Sequence, residues 1–182
     1  VLTGEQASVC AGILSEWKEG PGRPCLIQGV TGSGKTLVYM ELISRVLEEG
    51  RQVIVLIPEI ALTWQNVRRF CSRFGDRVTV LNSRMSPGER YDQFERVRKG
   101  RVQIVIGPRS ALFAPFQKLG LIIIDEEHES SYRSEVTPRY HAREAAVERG
   151  RLEDAHGVMG SATPSVDACY RCRGGEYALF RL

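Results

Sequence analysis

The chain has 182 residues, of which 42% are hydrophobic and 26% charged, and its formal net charge is +3. That length and apolar content suit one domain with a single core, and no stretch holds the roughly 20 apolar residues that a membrane-spanning helix needs. Because the five cysteines are scattered and the amino end lacks a charged-then-apolar signal, we expect a reduced, cytoplasmic protein with no membrane partner.

Short apolar runs alternate along the chain with longer amphipathic stretches, and this alternation predicts an α/β fold. We expect a helix at 5–19, a strand at 25–28, a helix ending at 50, a strand at 52–57, a helix at 60–74, a strand at 78–81 and a helix at 87–99. Strands at 102–106 and 121–124 follow, then a helix at 143–149, a strand at 157–160, a helix after Pro164 and an edge strand or linker at 177–182. This order predicts one domain over 1–182, with a mostly parallel central sheet covered by helices on both faces. Because the chain begins at Val1, we also expect it to be a piece of a longer protein.

The turn between the first strand and the second helix fits the P-loop pattern. Its residues are Gly29, Val30, Thr31, Gly32, Ser33, Gly34, Lys35 and Thr36. Glycines let backbone N–H groups surround phosphates, the lysine reaches the β- and γ-phosphates, and the threonine ligates Mg²⁺. The complete spacing argues against an ordinary Gly-rich turn, so we predict binding of ATP or ADP with Mg²⁺.

Carboxylates follow the apolar run at 121–124 directly. Asp125 is placed to hold Mg²⁺, and Glu126 to polarise an attacking water as a general base, which indicates an ATPase and not merely a nucleotide binder. The alternative is a solvated acidic loop, which the P-loop makes less probable than it would be alone. A structural or surface role is the stronger interpretation for Glu127 and His128 individually, although His128 could also join the ATP site to a neighbouring motif.

Two hydroxyl residues, Ser161 and Thr163, follow the apolar run at 157–160. They are expected at the carboxyl edge of the sheet, where ligands bind in such folds. A cap for the helix that begins near Pro164 uses the same hydroxyls and is an equally good interpretation.

The order of these segments resembles the first lobe of superfamily 2 helicases, and more narrowly the bacterial primosomal replication-restart helicases (the PriA family). The resemblance covers nearly the whole chain and is carried by residues 58–63, 109–115, 125–128, 138–143 and 161–165. It implies a three-layer RecA-like P-loop NTPase lobe of a 3′-to-5′ DNA helicase. The implied setting is primosome assembly and fork restart near the bacterial nucleoid.

The resemblance also implies roles for individual residues. Gln6 would read adenine, Lys35 and Thr36 would hold the phosphates and Mg²⁺, and Asp125 and Glu126 the metal and the catalytic water. The residues that would contact DNA or couple it to hydrolysis are Arg109, Ser110, His128, Tyr132, Arg139, Tyr140, His141, Ser161 and Thr163. Tyrosine rings stack on unpaired bases and Arg binds phosphates, although a solvated basic loop is the alternative for the loop residues. Pro108 stands where the family has threonine, and the segment 134–136 differs from the usual loop of the family.

Several parts that the family implies are expected outside this chain: a second lobe in cis with an arginine finger, an amino-terminal DNA-binding module and a zinc module. Cys169 and Cys172 fall on a predicted helix, so we expect no zinc in this chain. The expected partners are forked or single-stranded DNA, primosome proteins and single-stranded-DNA-binding proteins. Without the finger, the lobe should bind nucleotide and hydrolyse it slowly or undetectably.

Two other classes of function remain open from the residues. A P-loop kinase would need an Arg-rich lid, which the sequence lacks, and Glu126 suits water activation better than transfer to an acceptor. A non-catalytic nucleotide-sensing switch would use the same P-loop and differ only in whether hydrolysis is required.

Overall fold

The computed structural model describes residues 1–18, 22–30, 34–129, 132 and 141–182. Seven strands in these ranges form one sheet. They are β1 (Cys25–Gln28), β2 (Gln52–Leu56), β3 (Val78–Val80), β4 (Ile104–Gly107), β5 (Leu119–Asp125), β6 (His156–Ser161) and β7 (Ala178–Arg181). The strand order is β3-β4-β2-β5-β6-β1-β7, and every pairing is parallel. The predicted α/β fold with a mostly parallel sheet is therefore confirmed.

Six α-helices in the described ranges cover this sheet. They are α1 (Gly4–Lys18), α2 (Lys35–Glu48), α3 (Trp64–Phe74), α4 (Pro87–Arg98), α5 (Ala142–Glu153) and α6 (Val166–Arg173). Short 3₁₀ turns occur at Glu59–Ala61, Gly75–Arg77 and Arg109–Phe113. None of the helices in the part of the chain that the structure describes is long and apolar enough to cross a bilayer.

Alternating side chains of the central strands pack into two separate cores. Val53 and Val55 of β2 face the core that contains α1, α2 and α3, whereas Ile54 and Leu56 face the core that contains α5 and α6. This alternation follows from the period of two along a strand, and burial on both faces explains why the strands are continuous apolar runs. Helices therefore cover both faces of the sheet, which gives the predicted three-layer arrangement.

The predicted helix at 60–74 is in fact two elements. The 3₁₀ turn Glu59–Ala61 ends before α3, and the Thr63 side chain accepts a hydrogen bond from the Asn66 N–H at 3.4 Å as the helix cap. Side-chain capping starts a helix at a defined residue because it satisfies an otherwise free N–H group. The helix predicted at 143–149 is longer than expected, at Ala142–Glu153, and the tail forms β7 along β1.

Because all strands are parallel, their carboxyl ends lie at one edge of the sheet. The residues that follow β1, β2, β4, β5 and β6 therefore all meet at that edge. This geometry brings together segments that are up to about 130 residues apart in sequence.

Candidate nucleotide-binding site

Lys35 is the first residue of α2, and its ammonium lies back over the loop that precedes the helix. Its Nζ donates a hydrogen bond to the Gly29 carbonyl at 2.8 Å and lies 3.5 Å from the Val30 carbonyl. The side chain is 8% exposed. Gly34 has φ 88°, a left-handed conformation that glycine adopts without strain. A buried cation and the amino end of α2 together favour a phosphate at this point.

Three of the predicted P-loop residues, Thr31, Gly32 and Ser33, lie outside the described residues. The flanking residues show how the loop is fixed at both ends. The Gly29 N–H donates to the Ser161 carbonyl at 3.1 Å, which ties the loop to β6. At the other end Gly34 is the N-cap residue of α2.

Gln6 of α1 lies beside the last glycine of the loop. Its Nε2 is 3.5 Å from the Gly34 carbonyl, and its Oε1 accepts a hydrogen bond from the Thr3 N–H at 2.9 Å. A methyl group built on Gly34 would lie 1.8 Å from the Gln6 Nε2, so any larger residue would displace the Gln6 side chain as well as strain the backbone at φ 88°. The structure thus places Gln6 next to the P-loop, where its predicted contact with adenine stays a prediction.

Asp125, the last residue of β5, is paired with a residue that the sequence did not single out. The Tyr39 hydroxyl of α2 donates to Asp125 Oδ1 at 2.8 Å. Burial raises the pKa of the Asp125 carboxyl above its usual range, while the Tyr39 hydrogen bond and the Lys35 charge oppose that rise. Burial also raises the pKa of Tyr39 well above its usual value, so its hydroxyl remains a donor. Tyr39 follows Lys35 by one helical turn, and this spacing is the signal that could have revealed it.

The phosphate-binding and carboxylate residues line a single cavity of about 420 Å³. They are Gly34, Lys35, Thr36, Tyr39, Asp125 and Glu126. Two arginines of α3, Arg68 and Arg69, line the far wall and were not predicted. A hydroxyl and carboxylates are hard oxygen donors, the set that Mg²⁺ prefers, and a cation would offset the burial of the Asp125 charge. The residues present therefore fit Mg²⁺ held jointly with nucleotide phosphates.

His128 lies between the carboxylate motif and β6. Its Nδ1 is 2.5 Å from Ser161 Oγ, and its Nε2 is 3.6 Å from a carboxylate oxygen of Glu126. Ser161 Oγ also accepts the Thr163 N–H at 3.1 Å. These contacts favour the interpretation of His128 as a link between neighbouring motifs. The alternative helix-capping role for Ser161 and Thr163 is wrong, because Ser165 caps α6.

The remaining predicted DNA-facing residues, apart from Tyr132, are Arg109, Ser110, Arg139, Tyr140 and His141. Arg109 and Ser110 begin the 3₁₀ turn after β4 and line a second cavity of about 280 Å³ together with Pro58 and Pro108. His141 caps α5, where its Nδ1 accepts the N–H of Arg143. Arg139 and Tyr140 lie outside the described residues, as does the divergent segment 134–136.

The proposed stacking of Tyr132 on a base is not supported by the structure. Tyr132 is 1% exposed, and its hydroxyl donates to the Leu56 carbonyl at 3.0 Å and to the Asp125 carbonyl. A ring enclosed in the core cannot stack on a base, so that part of the prediction is wrong. Its contact with the Asp125 main chain is compatible with the coupling role, which stays a prediction.

The two carboxyl-terminal cysteines lie on α6, as predicted. Cys169 is exposed and Cys172 is partly buried, one turn further along the helix. Within the described ranges, no three residues of the types His, Cys, Asp and Glu are grouped so that they could hold a metal ion by themselves.

Comparison with known proteins shows which family the sequence matches. The DEAD/DEAH box helicase family matches residues 3–171. The replication restart protein PriA of Bacillus subtilis is 47% identical over 181 residues, which cover 100% of this chain and 22% of that protein. PriA of Chlamydia pneumoniae is 45% identical over 98% of this chain and 24% of its own length. The chain thus spans less than a quarter of the length of these relatives.

Solved structures agree with this assignment. RecG bound to a three-way DNA junction superposes with a TM-score of 0.69 at 25% identity, over 99% of this chain and 24% of that chain. The Hef helicase domain of Pyrococcus furiosus, at 20% identity and a TM-score of 0.62, shares the fold over 94% of this chain and 37% of its own. The chain belongs to the DEAD/DEAH box helicase family and corresponds to the ATP-binding helicase lobe of PriA proteins.

Proposed function

We propose that this chain is the motor lobe of an ATP-dependent 3′-to-5′ DNA helicase that acts in primosome assembly and in the restart of stalled replication forks. The observation that carries the proposal is the shared cavity, in which Lys35, Thr36, Asp125 and Glu126 face one another at the carboxyl edge of the sheet. A buried ammonium opposite two carboxylates is the arrangement that phosphoryl transfer to water requires.

Each residue of the cavity has a distinct role in this proposal. Lys35 would neutralise the β- and γ-phosphates, and Thr36 and Asp125 would hold Mg²⁺. The metal, when bound, offsets the negative charge that develops on the phosphate oxygens. Glu126 accepts a proton from the attacking water. His128 lies between this carboxylate and Ser161, with its Nε2 3.6 Å from a Glu126 carboxylate oxygen and its Nδ1 in contact with the Ser161 hydroxyl.

DNA is the proposed polymeric substrate, bound along the same edge of the sheet. Arg109 and Ser110 offer a guanidinium and a hydroxyl for phosphate contacts. Pro108 has no N–H to offer, so it contributes less to phosphate binding than threonine would. The DNA-bound RecG relative supports a branched DNA substrate, and the name of the PriA relatives supports a role in replication restart. Primosome proteins and single-stranded-DNA-binding proteins of the bacterial cytoplasm are the proposed partners.

Hydrolysis requires more than this lobe. The chain corresponds to 22% of its Bacillus subtilis relative, and we assign the second lobe and its arginine finger to the remainder. Such a finger accelerates hydrolysis in related sites by about 10³–10⁵-fold. The isolated lobe is therefore expected to bind nucleotide and to hydrolyse it slowly or undetectably.

Calorimetric titration of the lobe with Mg·ADP and Mg·ATP tests the P-loop first. Binding should be lost in Lys35→Ala and retained in the control Lys18→Ala, which removes an exposed lysine at the end of α1. Binding that survives Lys35→Ala would refute the assignment of this site.

A second experiment, in the full-length protein, separates a motor from a switch and from a kinase. Glu126→Gln keeps the size of the side chain and removes its basicity, so DNA-stimulated ATP hydrolysis and unwinding should both stop. Continued replication restart with hydrolysis abolished would indicate a nucleotide-sensing switch. Transfer of the γ-phosphoryl to an acceptor other than water would indicate a kinase.

A further inference from the structure

Glu127, the third residue of the carboxylate motif, does not face the nucleotide cavity. It is 1% exposed, and its Oε1 accepts hydrogen bonds from the N–H and the hydroxyl of Ser165 at 2.9 and 2.8 Å. Its own N–H donates to the Gly160 carbonyl at 3.1 Å. Glu127 therefore fastens the end of β5 to both ends of the loop between β6 and α6.

A buried arginine meets the same serine from another helix. Arg143, in the first turn of α5, is 5% exposed, and its Nη1 donates to Ser165 Oγ at 3.0 Å. Its Nη2 donates to the carboxylate of Asp167 on α6. Ser165 thus connects the carboxylate motif, α5 and α6 through one hydroxyl group.

The two buried charges of this cluster are close but not joined. Arg143 Nη1 lies 4.0 Å from Glu127 Oε2, beyond hydrogen-bonding distance. Glu127 Oε2 and Arg143 Nε are both buried without a hydrogen-bond partner among the described residues. Buried charges without complete hydrogen bonding are unfavourable, so a rearrangement that brought the two groups within hydrogen-bonding distance would remove an energetic cost.

The residue before Glu127 explains why this link matters for hydrolysis. Glu126 has φ 53°, a left-handed conformation that a glutamate rarely adopts. Such a conformation persists only where neighbouring residues hold the chain in place. Tyr39 holds Asp125 on one side, and Gly160 and Ser165 hold Glu127 on the other. The direction of the Glu126 carboxylate therefore depends on the anchorage of Glu127.

We propose that Glu127 and Arg143 are positioning residues for ATP hydrolysis: when the 4.0 Å gap between them closes, the movement of α5 is passed to the main chain of Glu126. This inference rests on the function proposed above, in which Glu126 activates water. It also links His141 to the ATP site, because His141 caps α5 two residues before Arg143 and moves with the start of that helix. DNA that displaces the amino end of α5 thereby changes the rate of hydrolysis.

Steady-state ATPase kinetics of the full-length protein, with and without forked DNA, test the link. Glu127→Gln keeps the bonds to Ser165 but presents an uncharged group to Arg143. Its DNA-stimulated kcat should fall by about 10- to 100-fold, as for other supporting residues of active sites, while the KM for ATP and the Kd for Mg·ADP stay within about twofold. Arg143→Met should behave alike, and the double variant should be no worse than the poorer single variant.

Arg151→Met is the control, because Arg151 lies on the same helix and its exposed side chain pairs with Glu148, away from the nucleotide cavity. Its kcat should equal that of the wild type. If Glu127→Gln fails to fold, Ser165→Ala tests the same link, because it removes the hydroxyl that contacts both Glu127 and Arg143. Its kcat should fall while its KM for ATP stays unchanged.

An unchanged kcat in Glu127→Gln or Ser165→Ala overturns the inference, and so does a double variant whose loss equals the product of the single losses. A parallel loss of nucleotide affinity also overturns it, because a merely structural role predicts that result. A wild-type protein without ATPase activity would instead refute the proposed function, and this inference with it.

Discussion

The hydroxyl of Tyr39 should be a major contributor to the stability of this lobe, although it lies in the proposed catalytic cavity. Tyr39→Phe removes the donor that lies 2.8 Å from Asp125 Oδ1 and leaves the aromatic ring in place. A hydrogen bond to a charged group contributes about 1.5–3 kcal/mol, against about 0.5–1.5 kcal/mol for a neutral pair. Tyr39 is buried and Asp125 is partly buried on the wall of the cavity, so water replaces the lost donor only in part. The free energy of unfolding should therefore fall by about 1.5–3 kcal/mol wherever Asp125 is ionised.

The pH dependence of this deficit distinguishes the charged pair from a simple packing effect. The Tyr39 hydrogen bond lowers the pKa of Asp125 against the larger effect of burial, so that pKa rises further in Tyr39→Phe. A carboxyl whose pKa is raised on folding favours the folded state at low pH and loses that contribution as pH rises through its folded pKa. The deficit of Tyr39→Phe should thus be largest near neutral pH and shrink on acidification toward the pKa of Asp125.

Urea unfolding without nucleotide or metal, followed by tryptophan fluorescence, measures both effects. Tyr91→Phe is the control, since Tyr91 is 63% exposed and its hydroxyl faces solvent. In an Asp125→Asn background, the effect of Tyr39→Phe should fall to the neutral range of about 0.5–1.5 kcal/mol. A deficit below about 0.5 kcal/mol near neutral pH, or one that is independent of pH, would show that the pair does not act as a buried charged hydrogen bond.

Two further predictions concern the sheet around this pair. A methyl group on Gly160 would lie 1.6 Å from the Tyr39 hydroxyl oxygen and 2.9 Å from its Cζ, so Gly160→Ala should be poorly folded. Adding Tyr39→Phe should restore part of the lost stability, because it removes the hydroxyl that the methyl group meets. Thermal unfolding of the two single variants and the double variant tests this, and a double variant as unstable as Gly160→Ala would contradict it. His156 stacks on Trp17 with ring centroids 4.1 Å apart, and burial lowers its pKa, so the folded state binds a proton less readily and stability should fall as pH drops below about 6.5. His156→Phe should keep the stack and flatten this part of the pH profile in urea titrations, whereas an unchanged profile would assign it to other groups.

Local patterns were sufficient to predict most of the fold. The apolar runs that became β2 and β5 are buried on both faces, and such runs have few alternatives to a central strand in a parallel sheet. The P-loop spacing likewise placed Lys35 at the start of α2. The break before α3 was missed because the Thr63 cap and a 3₁₀ turn lie inside an otherwise helical pattern.

The contacts that were not predicted all depend on tertiary register. Glu127 and Arg143 meet because β5 and β6 are neighbours and α6 begins beside them, which no local pattern reports. The resemblance implied that Tyr132 contacts DNA or couples it to hydrolysis. Instead it satisfies the carbonyls at the ends of two adjacent strands, Leu56 and Asp125, and burying an aromatic ring with a satisfied hydroxyl is favourable.

The place of β1 in the sheet also bears on how the protein is made. The strand that leads into the P-loop pairs with β6 and β7, which are synthesised about 130 and 150 residues later. At about 5–20 residues per second, β1 waits on the order of 7–30 s for its partners while β2, β4 and β5 can already pair. An apolar strand left open for that time is exposed to aggregation, and the loop that follows it lacks the hydrogen bond from the Gly29 N–H to the Ser161 carbonyl until β6 has been made. The attachment of this loop to the sheet is therefore one of the last contacts of the lobe to form.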